Sequence, residues 1–81
     1  MTSPSVQDYL VAIYRLEAGE RPVTTTALAA HLGVAPASVT GMIRRMHSQN
    51  LVEYLPYHGA TLSDSGREDA LRLVRRAPLV V

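Results

Sequence analysis

The chain has 81 residues, enough for one domain with a single modest core. Apolar residues make up 47% of it and charged residues 19%, the balance of a chain that folds rather than of a disordered tail. The absence of cysteine excludes a disulfide framework and a thiolate zinc site, and a formal net charge of +1 is too small to indicate a polyanionic partner by itself.

In chain order, Ser3 followed by Pro4 predicts an N-cap and a first helical position, since proline needs no hydrogen-bond partner there. Val6, Tyr9, Leu10, Ile13, Tyr14 and Leu16 then recur at helical spacing, with Gln7, Asp8, Val11 and Arg15 off that stripe. Residues 18–22 break the pattern with Gly19 and Pro22, ahead of a short extended Val23–Thr24. Thr25 or Thr26 is the expected cap of a short second helix carrying Leu28, Ala29 and Leu32 inward, and Gly33 is its expected left-handed end. Pro36 marks a third helix, expected to run to about Asn50, with Val39, Met42, Ile43 and Met46 as its buried stripe. Residues 51–62 read as a two-stranded hairpin turning at Pro56-Tyr57-His58-Gly59. Ser63 or Asp64 then caps a last helix bearing Ala70, Leu71, Leu73 and Val74, which Pro78 ends or kinks. The domain is expected over residues 3–76, with residues 77–81 as an apolar tail and possible truncation point.

That order of elements is the winged helix-turn-helix plan: mainly α, with a small β-hairpin as wing and a helix after it. The segment TTALAAHLGVAPASVTGMIR carries the turn. Small Ala29 lets the next helix approach, Gly33 supplies positive φ, and Leu28, Leu32, Val34, Val39 and Met42 fill the angle between the two helices. With the third helix burying its apolar stripe, Pro36, Ala37, Ser38, Thr40, Gly41, Arg44, Arg45 and Ser48 are left outward or flanking. Small side chains and hydroxyls in the first turn, with two arginines one turn later, suit a major groove; without the turn motif they would read as the solvated side of an amphipathic helix. The charge placement agrees, because six of the eight arginines lie in the second half, at 44, 45, 67, 72, 75 and 76. Tyr57 and His58 at the wing tip are candidates for the phosphate backbone, against the plainer reading of a simple turn.

The three segments SPSVQDYLVAIYRL, LAAHLGVAPASVTGMIRRM and LVEYLPYHGATLSDSGREDALRLVRR together closely resemble the DNA-binding domain of metal-dependent repressors of the diphtheria toxin repressor and manganese transport regulator type. The resemblance spans about Ser3 to Arg76. It implies a bacterial, cytoplasmic transcriptional regulator that binds operator DNA as a homodimer when loaded with manganese or iron, and that controls metal uptake. It also implies a metal role for Asp8, a hard oxygen ligand that favours manganese over iron.

Three departures bear on the metal. Val11 stands where a second carboxylate is expected, residues 77–81 offer no histidine where the family carries one, and the later helices of the family are absent from this sequence. This chain alone is therefore expected to hold no metal tightly, and Asp8 reads better as an exposed carboxylate near a helix N-terminus. His31, His47 and His58 share no ligand spacing and read as surface or DNA-side residues. Neither a nucleophile elbow nor a Gly-rich phosphate loop is present, so catalysis is not expected. No basic N-terminal segment precedes an apolar run and no apolar stretch is long enough for a span, so no membrane partner is expected. The alternative to a DNA-binding regulator is a winged-helix module that grips a protein, which would expose aromatic or aliphatic anchors on the wing or recognition helix.

Overall fold

The first helix starts two residues later than the Ser3-Pro4 pair predicts. In the computed structural model, which describes residues 3–76, α1 spans Val6–Leu16 with Ser5 as its N-cap. Asp8 decides the position. It stands three residues after Ser5 and accepts the Ser5 N–H at 2.9 Å, while its own N–H donates to Ser5 Oγ at 3.3 Å, a reciprocal capping box. Three residues after Ser3 comes Val6, which has nothing to return.

The second helix, α2 (Thr25–Leu32), is capped by Thr24 rather than Thr25 or Thr26, because the Thr24 hydroxyl is the one that reaches the Ala27 N–H, at 3.0 Å. Gly33 ends it at φ +68°, and the Val34 N–H closes back on the Ala29 carbonyl at 3.1 Å. The third helix, α3 (Pro36–Ser48), ends two residues short of Asn50. Asn50 itself takes a left-handed φ of +61°, with its N–H on the His47 carbonyl (3.0 Å) and the Leu51 N–H on Met46 (2.9 Å). This is the helix-ending loop usually built with glycine, here built with asparagine.

Strands β1 (Val52–Leu55) and β2 (Gly59–Leu62) pair antiparallel in the register Val52 with Leu62 through Leu55 with Gly59. Gly59 thus belongs to the strand, and the turn is left to Pro56, Tyr57 and His58. Extended Val23 joins the far edge of β2 by a pair of 2.9 Å hydrogen bonds with Ala60. The last helix, α4 (Asp64–Arg76), follows after Ser63 alone, whose Oγ accepts the Gly66 N–H at 3.0 Å and donates to the Asn50 carbonyl at 2.7 Å.

One core joins these elements. Ile13 of α1, Leu28 of α2, Val39 and Met46 of α3 and Val52 of β1 are its largest fully buried side chains, each contributing roughly 1.5–3 kcal/mol by leaving water. From α4, Ala70 is fully buried and Leu73 packs at the margin, while Leu71 and Val74 are only half-buried. Glu17, just beyond α1, is the buried charge of the core. Its side chain is 4% exposed, accepting the Leu62 N–H on Oε2 and Arg67 Nη2 on Oε1, both at 2.9 Å. Glu17 therefore clamps the end of α1 to the wing and to α4.

Candidate nucleic-acid interface

From α2 to α3 the chain turns through 108°, within the usual range of about 90–120° for a helix-turn-helix pair. Val39, Ile43 and Met46 are buried, with Met42 half-buried beside them, and this fixes what α3 presents outward. Pro36, Ala37, Ser38, Gly41, Arg44, Arg45 and Ser48 are all exposed, as the sequence predicts. Thr40 differs. It is half-buried and its hydroxyl donates to the Pro36 carbonyl at 3.2 Å, so its lone pairs remain free to accept but its proton is engaged.

Two electrostatic features mark this face. Ala35 gives α3 no side-chain cap; Pro36 has no N–H and the Ser38 N–H is bonded to the Ala35 carbonyl at 3.0 Å, so the first turn offers an anion the Ala37 N–H and the positive end of the helix dipole. Among the described residues Arg44 and Arg45 form no ion pair, whereas Arg67 and Arg72 are paired with Glu17 and Asp69, and α3 carries no acidic residue. At the far end of the helix His47 Nδ1 donates to the Val52 carbonyl at 3.2 Å, which joins α3 to the wing.

The wing tip sets Tyr57 fully in solvent at φ +68°, a backbone region that costs an aromatic residue roughly 1–2 kcal/mol. His58 beside it is exposed, its N–H donating to the Leu55 carbonyl at 3.0 Å. Both residues line a shallow depression with Tyr54 and with Thr24, Thr25 and Thr26 at the start of α2. That neighbourhood was not legible in the chain order, because it depends on the Val23–Ala60 pairing across 37 residues of sequence.

Asp8 lies on the far element, α1, with its carboxylate occupied by the capping box. It shares a shallow depression with His31, and beside apolar Val11 these two side chains are fewer than the three protein ligands or more that a divalent transition ion calls for. Among the described residues no cluster of three or more His, Asp or Glu side chains is present. The residues at hand do not fit a resident metal.

Residues 1–60 match the family model described as iron-dependent repressor, N-terminal DNA-binding domain. The chain belongs to the iron-dependent repressor family. It is similar to an uncharacterised HTH-type transcriptional regulator of Methanocaldococcus jannaschii, 40% identical over 89% of this chain and 58% of that protein. It is also similar to the HTH-type transcriptional regulators MntR of Oceanobacillus iheyensis and Bacillus subtilis, each 34% identical over 99% of this chain and covering 54% and 56% of those proteins. The chain thus spans somewhat more than half the length of these relatives. Within the iron-dependent repressor family the matched region is the DNA-binding domain, and in this member it contains α1 to β1 and the first strand residues of β2. Among the described residues no single helix is long and apolar enough to cross a membrane.

Proposed function

We propose that this domain reads operator DNA as part of a transcriptional regulator of manganese or iron homeostasis, with α3 in the major groove and Tyr57 and His58 of the wing against the phosphate backbone. The observation that carries the reading is the outward face of α3: an N-terminus without a side-chain cap, small side chains at Ala37, Ser38 and Gly41, then Arg44 and Arg45, which form no ion pair among the described residues. Phosphates are taken by the helix end and the arginines, and base edges meet the first two turns. As one half of a homodimer the domain would occupy one of two half-sites spaced roughly 34–36 Å apart. In the whole regulator the metal takes most of its ligands from outside these residues, so this chain alone binds manganese or iron weakly or not at all.

The exposed edge formed by Tyr54, Leu55 and Tyr57 favours a second reading, a wing that docks on a protein. Selection from a random duplex library with the purified chain, run with chelator and with manganese, separates the two. A palindrome enriched in both arms supports a DNA reader that acts without a metal of its own; enrichment in the manganese arm alone contradicts the metal part. No enrichment in either arm overturns DNA reading in favour of the protein-docking wing.

A further inference from the structure

We propose that Gly41 is the point of closest approach between α3 and the duplex, a gap that admits a base edge to the helix backbone; the inference rests on α3 being the DNA-reading element. Gly41 lies inside a thirteen-residue helix, where glycine is less stable than alanine because it gives up more backbone freedom on folding. At three of the other four glycines the geometry supplies a reason, and the fourth, Gly19, lies in the turn after α1, outside any helix. Gly33 adopts a left-handed φ, while a Cβ on Gly59 or Gly66 would run into the carbonyl of Val23 or Leu51. Gly41 has neither reason, since its φ is not positive and a Cβ there would meet nothing within 4 Å. Among the described residues nothing in the packing calls for this glycine.

Its position gives it one. Ala37, Gly41, Arg44 and Ser48 follow at spacings of four, three and four residues, so they form one exposed line along α3, opposite buried Val39, Ile43 and Met46. Gly41 is flanked along that line by Ala37 one turn before and Arg44 one turn after. A base edge seated over Gly41 meets backbone with no side chain between, and the arginines beside it can still reach phosphates. The notch carries no side-chain donor or acceptor, so it discriminates by size: a methyl on the protein would hold the helix off the bases and lengthen every neighbouring contact.

The test is Gly41→Ala in this 81-residue chain, followed by thermal melting and by fluorescence anisotropy against the duplex that the unaltered chain enriches. The expected result has opposite signs in the two measurements. The melting temperature rises by roughly 3–6 °C from the better helix former, while affinity for the duplex falls by about tenfold or more. A variant that melts higher and binds as tightly as the original overturns this inference and leaves DNA reading intact. A variant that melts lower also overturns it, since the glycine would then serve the fold. If the unaltered chain enriches no duplex, DNA reading itself fails and the inference falls with it.

Discussion

Among the described residues Arg44 and Arg45, unlike Arg67 and Arg72, have no carboxylate partner, and guanidinium groups without one lose least when a phosphate replaces water around them. Replacing both with alanine is therefore expected to weaken duplex binding and to flatten its dependence on log salt by about two, one for each phosphate contact removed. The melting temperature should stay unchanged, because neither side chain is buried; an unaltered salt slope would take these residues off the interface. Tyr57 makes the complementary case. Asparagine tolerates a left-handed φ, so Tyr57→Asn should fold at least as stably and yet bind DNA less tightly, as a titration beside a melting curve would reveal. Glu17 belongs to stability instead. Glu17→Ala strands the buried Leu62 N–H and should cost about 1–3 kcal/mol in urea unfolding, whereas Glu17→Gln, which keeps an acceptor, should cost less.

At the scale of elements, the sequence was readable where a signal and its partner lie within one turn of each other. Gly33 and Pro36 mark the end of α2 and the start of α3 through their own backbone preferences, and the structure has both where the sequence puts them. The starts of α1 and α2 were misplaced by one or two residues, since several Ser and Thr residues compete and the choice depends on which hydroxyl reaches an N–H. The exposed face of α3 followed directly from its buried stripe. Glu17 was not legible at all, because its partners Leu62 and Arg67 lie 45 and 50 residues away and nothing local distinguishes it from a loop carboxylate. The same distance effect hid the tight seat of the wing. Gly59 and Gly66 are where the wing touches Val23 and where α4 touches Leu51, so Gly59→Ala and Gly66→Ala should each lower the melting temperature by several degrees or more, roughly as strained backbone contacts of 1–3 kcal/mol would. An unchanged melting curve for either would mean that those contacts yield without cost.

For the whole molecule, the match to the family model ends at residue 60 but the folded unit does not. Leu62, Ala70 and Leu73 complete the core against α1, and Arg67 neutralises the buried Glu17. A chain ended after Ser63 is therefore expected to lose its cooperative melting transition by circular dichroism, and retention of a sharp transition would show that α4 is dispensable. Alkaline pH acts on the same core. Burial raises the Tyr9 phenol above its usual value near 10, because the phenolate would be poorly solvated there. The folded state thus holds that proton more tightly than the unfolded one, so the contribution is intact below pH 10 and declines above it; Tyr9→Phe should remove this part of the decline.

A single residue separates the wing from α4, and it has no slack. The Ser63 N–H donates to Leu51 at 3.0 Å, and its hydroxyl is bonded both to Asn50, at the end of α3, and to Gly66, in the first turn of α4. Mechanically, α4 is a stiff handle of about 20 Å fastened through Ser63 to α3 and the wing. A torque applied to the far end of that handle re-aims α3 and the wing as one body, with no joint in between to absorb it.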